Sequence, residues 1–229
     1  MKKKLYSVLT GDLVDSSKLT SDESRNAMQW LREAARKFND LHPQSIEGEL
    51  DTFRHDTWQL LMGRPFLCLR AAVFMRTALM LHSTTKAKYD SRISIGIGEV
   101  EMIAESRVSD SRGPAFLISG KNLDTMGRNR LVCEVQDRDS TALALVGSVV
   151  VPLLDCVVTD WTSTEAHAVS GSLEGLTQES IAQLLPPNPR TERAVTRQAV
   201  SDSLERGYWR TVESVLNDLE TNSKVWNLP

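Results

Sequence analysis

The order of strand-like and helix-like segments over the first 135 residues constrains the fold most. Runs of β-branched and aromatic residues predict strands, and apolar residues three or four positions apart predict helices. The predicted strands cover residues 5–12, 46–53, 57–62, 92–102 and 131–135, and the predicted helices cover about 21–41, 66–83 and 113–126. The order β-α-β-β-α-β, with one more helix and strand, predicts an α+β domain of the ferredoxin-like type. Because crossovers are right-handed, helices should cover the sheet.

The strand predicted over 92–102 has the clearest alternation in the chain. Ile93, Ile95 and Ile97 fall on one side, and Gly96 and Gly98 fall on the other. Glycine inside a strand often marks a place where another backbone or a ligand comes close. The pattern therefore predicts a buried strand with a close neighbour on its glycine side. In the first helix, Ser21 or Asp22 is the predicted N-cap.

From about residue 139 the sequence becomes helical in character. The run 141–161 predicts a helix that Pro152 kinks or splits. Residues 171–175 are rich in glycine and predict a loop, and 176–185 predicts a short amphipathic helix with Thr177 as its N-cap. A proline-rich loop follows, and then a helix that reaches about Leu219. We therefore predict two domains, a sheet domain over 1–138 and an all-α domain over 139–229.

Composition sets the class of protein and its compartment. Of the 229 residues 41% are hydrophobic and 25% are charged, which suffices for a sizeable core. Three scattered cysteines without a CxxC pair argue against a disulfide scaffold or a zinc ribbon, and they fit a reducing cytoplasm. The most apolar run, 141–158, contains Gly147, Pro152 and Asp155, so we expect no membrane-spanning segment.

Asp12 and Asp56 are the candidate metal ligands. Each follows or interrupts an apolar run, so each should lie at the end of a strand. Two carboxylates side by side would suit Mg²⁺ or Mn²⁺ together with the phosphates of a nucleotide. The alternative is structural, because an isolated strand-end aspartate more often caps a turn, and Asp15, Ser16 and Ser17 favour such a turn after Asp12.

The segment 176–219 is typical of a helix-turn-helix. Ala182 is small enough for a close helix crossing, and Val200 and Leu204 would anchor the second helix. The start of that helix would then meet base edges and phosphates. The exposed candidates for DNA binding are Thr196, Arg197, Gln198 and Ser201.

Two features of this segment depart from a common DNA-binding motif. The turn is longer than the usual three or four residues and carries three prolines. Residues 140–229 hold 6 Lys and Arg against 11 Asp and Glu, a net charge of −5, although the stretch 190–210 is locally positive by 2. Because DNA-binding domains are usually basic, the alternative is a helical bundle used for dimerisation.

Four short motifs carry a resemblance to a known family. The motifs are Gly11–Ser17, Arg54–Gln59, Arg92–Val100 and Gly113–Lys121. On these motifs the whole chain resembles the SatD family, a bacterial group with a C-terminal helix-turn-helix-like segment, and its first half resembles the class III nucleotidyl cyclase fold. In cyclases two aspartates hold two metal ions that activate the ribose hydroxyl and clamp the triphosphate, and Asp12 and Asp56 match their positions.

Other catalytic positions of the cyclases differ in this chain. The lysine that reads the base corresponds to Thr52. The asparagine and arginine that stabilise the transition state correspond to Leu117 and Lys121 or, in a shifted register, to Asp124 and Arg128. Lys121 and Arg128 are therefore the candidate catalytic residues. The resemblance also makes Gly96, Gly98 and Lys121 candidates for nucleotide binding.

Together these features predict a cytoplasmic bacterial regulator. Its cyclase-like domain would bind a nucleotide or a similar small ligand, and its helical domain would bind DNA. Because the active sites of cyclases form between two such domains, the resemblance also implies a homodimer. An active nucleotidyl cyclase or another metal-dependent phosphoryl-transfer enzyme is the alternative function. An interaction module with vestigial sites is a third.

Overall fold

A computed structural model describes residues 4–136, 141–187, 192–222 and 226. Its strands are β1 (Tyr6–Leu13), β2 (Ile46–Phe53), β3 (Thr57–Met62), β4 (Ser91–Gly98) and β5 (Leu131–Val135). They form one five-stranded sheet in the order β2-β3-β1-β4-β5. β1 is antiparallel to β3 and β4, and β5 is parallel to β4. The fold therefore combines helices with a mixed sheet, in agreement with the predicted α+β class.

The helices follow the predicted order, with one helix added and with the helix predicted to reach about Leu219 divided in two at Gly207 and Tyr208. They are α1 (Ser21–Leu41), α2 (Cys68–Met80), α3 (Pro114–Thr125), α4 (Thr141–Leu145), α5 (Val151–Thr159), α6 (Ser163–Leu173), α7 (Gln178–Leu184), α8 (Arg197–Arg206) and α9 (Trp209–Thr221). A π-helical turn, Val146–Val150, joins α4 to α5 and ends two residues before Pro152. Proline has no N–H to donate, so the regular helical ladder is interrupted there.

One face of the sheet carries the main core. The side chains of Leu9, Trp58 and Ile95 lie fully buried on this face, against α1 and α2. The apolar positions of α1 recur at helical spacing, which lets one stripe of the helix face the sheet. The alternation predicted in β4 is confirmed, because its three isoleucines belong to this core.

α3 covers the opposite face of the sheet. Ala115 and Phe116 of this helix pack on Val8 and Leu61 in a smaller apolar cluster. Beside this cluster, Thr10 accepts a hydrogen bond from Gln59 at 2.9 Å and exchanges one with Ser119 at 2.8 Å. This face therefore combines apolar contacts with buried, hydrogen-bonded polar groups.

Three local predictions are corrected by the structure. Thr20, not Ser21 or Asp22, is the N-cap of α1, because its hydroxyl accepts from the Glu23 N–H while the Glu23 carboxylate accepts from the Thr20 N–H. The predicted strand over 92–102 ends at Gly98. The predicted loop 171–175 is mostly helical, because α6 continues to Leu173.

α6 itself is a helix that the sequence pattern did not predict. Thr162 and Glu165 form its capping box, a signal that is present in the sequence. α6, α7 and α8 pack around Ala168, Ile181 and Val200. Gly171 permits the contact with α7, because a Cβ there would lie 2.5 Å from the Ile181 side chain.

The helical part packs directly on the sheet domain. The core that covers the sheet continues through α5, α6 and α9, with Val158, Val169 and Leu216 among its members. Arg70 of α2 donates to Glu220 of α9 at 2.6 Å. The predicted boundary between residues 138 and 139 lies outside the described residues.

Arg76 forms the most buried ion-pair network of the described residues. Its guanidinium is fully buried and donates to Asp90 at 2.8 and 2.9 Å and to Asp155 at 2.9 Å. Desolvation by burial opposes the charged form, but the charges of Asp90 and Asp155 outweigh it and raise the pKa of Arg76. The network links α5 to α2 and to the start of β4, and removing one partner would leave a buried charge uncompensated.

One run of the described residues, Ala142–Thr159, is long and apolar enough to cross a membrane by length and composition. The prediction from sequence was that its glycine, proline and aspartate interrupt the run too much for such a segment. A third of the run is buried inside the protein. On its buried side, Asp155 pairs with Arg76 and accepts from the Arg130 backbone N–H at 2.8 Å.

Candidate functional site

Asp12 and Asp56 lie side by side at one end of the sheet. Asp12 is close to the end of β1, directly opposite Thr57 of β3, and Asp56 precedes Thr57. The Leu13 N–H donates to the Asp56 carbonyl at 2.9 Å, which fixes the two segments to one another. The prediction that these two aspartates would be neighbours agrees with this geometry.

A glycine and a tryptophan set the backbone position of Asp12. A Cβ on Gly11 would lie 2.5 Å from the Trp58 ring, so the indole packs where a side chain would otherwise be. The Trp58 Nε1–H donates to the Ser91 hydroxyl at 3.0 Å, and that hydroxyl donates to the Asp12 carbonyl at 2.7 Å. The residues around Asp12 therefore hold its main chain rigidly.

Arg92 is a residue of this site that the sequence pattern did not single out. It lies opposite Asp12 on β4 and binds its carboxylate with two guanidinium nitrogens, Nε at 2.9 Å and a terminal nitrogen. These hydrogen bonds and the charges of Asp12, Asp124 and Asp56 raise the pKa of Arg92, against partial desolvation. The alternation of β4 could have indicated that Arg92 faces the site, because it places residue 92 on the same face of the strand as Gly96.

The Asp56 carboxylate is bound by two neighbouring hydroxyls. Its Oδ2 accepts from the Ser16 hydroxyl at 2.7 Å, and its Oδ1 accepts from the Thr57 hydroxyl at 3.2 Å. All four carboxylate oxygens of Asp12 and Asp56 therefore already have a protein donor. Among the described residues, no group of three or more His, Cys, Asp or Glu side chains is placed to hold one metal ion.

The two carboxylates thus have the right chemistry for Mg²⁺ or Mn²⁺, but their oxygens already accept hydrogen bonds from protein groups. Carboxylate oxygens are the ligands that these ions prefer. A cation at Asp12 would have to displace the Arg92 guanidinium, which already neutralises that carboxylate. The Asp12 carboxylate is thus already neutralised, and metal binding by Asp12 and Asp56 stays a prediction.

The end of α3 lies at the same end of the sheet. Asp124 is close enough for its charge to act on Arg92. Lys121 and Arg128, the two candidate catalytic residues, are exposed, and Leu117 is 75% exposed on the same helix. Leu117 cannot supply the hydrogen-bond donor that asparagine provides at this position of cyclases.

Gly96 and Gly98 lie away from the two aspartates. Gly96 pairs with Val8 and Gly98 with Tyr6, four and six residues from Asp12 along β1. At about 3.4 Å per residue these separations exceed about 10 Å. A Cβ on Gly96 would lie 2.2 Å from the Ala115 carbonyl oxygen, so α3 is the close neighbour that the glycines predicted. Nucleotide binding by these glycines stays a prediction.

The predicted DNA-binding residues lie at the start of α8. Thr196, Arg197 and Gln198 are exposed, whereas Ser201 is half-buried. The Thr196 hydroxyl caps the helix by accepting from the Ala199 N–H at 3.1 Å. The Gln198 amide donates to Asp202 at 2.7 Å. Arg197 therefore has the most freedom of the four to reach a partner.

The loop that precedes α8 is described only in part. Residues 188–191, which belong to the predicted proline-rich loop and include Arg190, lie outside the described residues. Arg206, counted in the local positive charge, donates to Glu165 of α6 at 3.0 Å. That ion pair joins α8 to α6. It also neutralises one of the arginines that make the stretch 190–210 locally positive.

Neither family models nor curated proteins give a relative for this chain. No protein-family model matches the sequence. No curated protein matches it with significance either.

Proposed function

We propose that this protein is a DNA-binding regulator of the SatD family, and that its sheet domain binds a nucleotide or another phosphorylated ligand. The chain order β1-α1-β2-β3-α2-β4, with β1 between β3 and β4, supports a ferredoxin-like, class III cyclase-like sheet. The internal neutralisation of Asp12 by Arg92 favours a binding role over turnover. A cytoplasmic location belongs to the same proposal.

The packing of α6, α7 and α8 is the observation that carries the DNA-binding part. Three short helices share one small core and leave the first turn of α8 exposed. In helix-turn-helix proteins the exposed start of the second motif helix enters the major groove. Arg197 would contact phosphates or a guanine edge there, since a guanidinium suits both.

Arg197→Ala tests DNA binding most directly. We expect DNA selected from random-sequence duplexes to bind the intact protein and to be released as salt rises, because phosphate contacts release counterions. Arg197→Ala should weaken binding by roughly tenfold or more. Fluorescence anisotropy at two salt concentrations measures both effects.

Arg36→Ala is the matched control for that experiment. Arg36 is an exposed arginine on α1 of the sheet domain, so its removal changes the net charge by the same amount. Its binding curve should stay within about twofold of that of the intact protein, since surface charges far from the interface act weakly. Equal losses in both variants, or no binding by the intact protein at low salt, would overturn the DNA-binding proposal.

A contiguous set of contacts supports coupling between the two parts. The Val14 N–H, next to the end of β1, donates to the Asp90 carbonyl at 2.9 Å. The Asp90 side chain pairs with Arg76, which in turn pairs with Asp155 of α5. A ligand at the Asp12 end would shift the population of helix arrangements through these contacts.

The exposed apolar face of the α4–α5 helix supports a homodimer. Leu145, Val149 and Leu153 are 54%, 50% and 66% exposed and follow each other at intervals of four residues. The sequence from 141 to 154 carries no charge, so two copies related by a two-fold axis would meet without like-charge repulsion. The opposite side of this helix is held to the sheet domain by Asp155. A second copy of this chain is therefore the proposed occupant, and no membrane is needed.

Leu153→Glu tests the dimer. A glutamate at the centre of an apolar interface would have to be desolvated, so we expect the intact protein to be dimeric and the variant monomeric in analytical ultracentrifugation. Leu184→Glu changes a similarly exposed leucine on α7 and should leave the dimer intact. A monomeric intact protein that binds lipid vesicles would show that the face contacts a membrane instead.

An active metal-dependent nucleotidyl cyclase or phosphoryl-transfer enzyme is the second candidate. The adjacency of Asp12 and Asp56 at one sheet end favours it. Incubation with the four ribonucleoside triphosphates and Mn²⁺, followed by mass spectrometry, distinguishes the two. Cyclic nucleotide that is lost in Asp56→Ala would make the protein an enzyme.

A further inference from the structure

A cavity of about 510 Å³ opens at the Asp12 end of the sheet, between α1 and the turn that joins β2 to β3. We call it the arginine cavity. Its polar walls include Arg25 and Arg32 of α1 and Thr52, Arg54 and His55 of the β2–β3 hairpin. Thr52 pairs with Trp58 and Arg32 lies on α1, so the cavity is on the α1 side of the sheet. Asp12 and Arg92 lie on the α3 side.

The charged side chains that line the arginine cavity are all positive. Three arginines line it, and among the described residues that form its wall there is no carboxylate. Arg25 pairs with Asp22, but both side chains are largely exposed, 74% and 81%, so water screens that pair. The described residues give Arg54 no ion-pair partner. The cavity therefore holds positive charge that the protein itself compensates only weakly.

Arg32 is held in the wall by a hydrogen bond, and Arg54 is presented by the β2–β3 turn. The Arg32 guanidinium donates to the Thr52 hydroxyl at 2.5 Å, which ties α1 to β2 and leaves its other N–H groups for a ligand. Arg54 has a φ of 60°, in the left-handed region that a residue with a side chain adopts at a cost of about 1 kcal/mol. That backbone conformation sets the direction in which the Arg54 side chain leaves the turn.

The chemistry of the wall identifies the class of ligand. Guanidinium groups bind phosphate oxygens with two parallel hydrogen bonds, and hydroxyls such as those of Ser21 and Ser24 add further donors. The cavity volume lies within the range of small-molecule sites. We propose that the arginine cavity binds the phosphate groups of a small phosphorylated ligand, with Arg25, Arg32 and Arg54 as the residues that hold the anion.

This proposal names the site and the ligand class for the ligand binding proposed above. Only the effect of the bound ligand on the rest of the protein rests on the proposed function. Arg54, His55 and Asp56 belong to one turn. An anion that draws Arg54 inward acts on the same turn whose Asp56 accepts from Ser16 and whose carbonyl accepts from Leu13. Occupancy of the cavity is thereby transmitted to the end of β1.

Inorganic pyrophosphate is the probe for the test, titrated into the full-length protein by isothermal calorimetry. The intact protein should bind it, and added salt should weaken the binding because the attraction is electrostatic. Arg54→Ala and Arg32→Ala should each weaken binding by tenfold or more. Arg54→Lys should fall between, since an ammonium keeps the charge but not the paired hydrogen bonds.

Arg36→Ala is the matched control. Arg36 is an exposed arginine of α1 that lies outside the wall of the arginine cavity, and its removal should leave the affinity unchanged. Thermal unfolding of each variant shows that the fold is retained. Equal weakening in Arg36→Ala and Arg54→Ala would reduce the effect to net charge and overturn the proposal, as would an intact protein that does not bind pyrophosphate.

The failure of this proposal is distinguishable from that of the regulator. If the protein binds pyrophosphate through Arg54 but binds no DNA, the proposal for the arginine cavity is supported and the proposal of a DNA-binding regulator is overturned. DNA binding that needs Arg197, in a protein indifferent to pyrophosphate, would do the reverse.

Discussion

The two faces of the sheet are built from different chemistry. On the face covered by α1 and α2, the side chains of Leu60, Ile93 and Ile95 are fully buried in an apolar core. On the face covered by α3, the same sheet presents Thr10 and Gln59, which are also buried. Apolar burial supplies about 25 cal/mol per Å² and has no direction, whereas buried hydroxyls require partners at fixed positions.

The two faces therefore have different roles: the apolar face mainly stabilises the fold, and the α3 face mainly fixes the positions of polar side chains. The α3 face must keep the chain of hydrogen bonds from Gln59 through Thr10 to Ser119. The face with the demanding geometry therefore also carries the Asp12–Arg92 pair.

Gly96→Ala should have the largest effect of the changes that test this comparison. Its new Cβ would lie 2.2 Å from the Ala115 carbonyl and 2.7 Å from the Ser119 nitrogen, both backbone atoms of α3. Because backbone cannot turn aside as a side chain can, α3 would have to move away. We expect a loss of about 3 kcal/mol in the free energy of unfolding, measured by denaturant titration.

Gly120→Ala is the control in the same helix. A Cβ at Gly120 meets nothing within 4 Å, so alanine should gain about 0.5 to 1 kcal/mol from its higher helix propensity. If Gly96→Ala were as stable as the unchanged protein but bound nucleotide more weakly, Gly96 would serve a ligand and not the packing of α3.

The strands and the first helices could be predicted because their patterns are local. The bounds of α1, β2, β3 and β5 match those predicted from the sequence. The pattern failed where the signal was not periodic, as in α6, whose sequence mixes small and polar residues and whose start is marked by the Thr162 capping box alone. The small residues there make room for α7, which only the tertiary contact shows.

The candidate site could be predicted only in part. The strand pattern predicted that Asp12 and Asp56 lie near strand ends, and they are neighbours because β1 pairs with β3. Arg92 could not be assigned to Asp12, since that pairing depends on which strand lies beside β1 and in which register. The arginine cavity is formed by α1 and a hairpin about 25 residues apart in sequence, so no linear motif indicates it.

Arg92→Ala tests the charged end of the α3 face and should have a smaller effect on stability than Gly96→Ala. Asp12 would lose its partner, but the two side chains are 33% and 19% exposed, so water would replace part of the interaction. We expect a loss of about 1 to 2 kcal/mol in the free energy of unfolding. The same variant should bind Mn²⁺ at least tenfold more tightly in calorimetry, because Asp12, Asp56 and Asp124 would no longer be neutralised by Arg92.

Arg128→Ala is the control for the loss of one positive charge, because Arg128 is an exposed arginine that follows α3 at the same end of the sheet. It should change Mn²⁺ affinity little, since an exposed charge is screened by water and salt. The double variant Arg92→Ala, Asp12→Asn should lose the gained affinity. If Arg92→Ala bound Mn²⁺ no better than the unchanged protein, the two aspartates would not be latent metal ligands, and the charged end of the α3 face would serve only to fix β1 against β4.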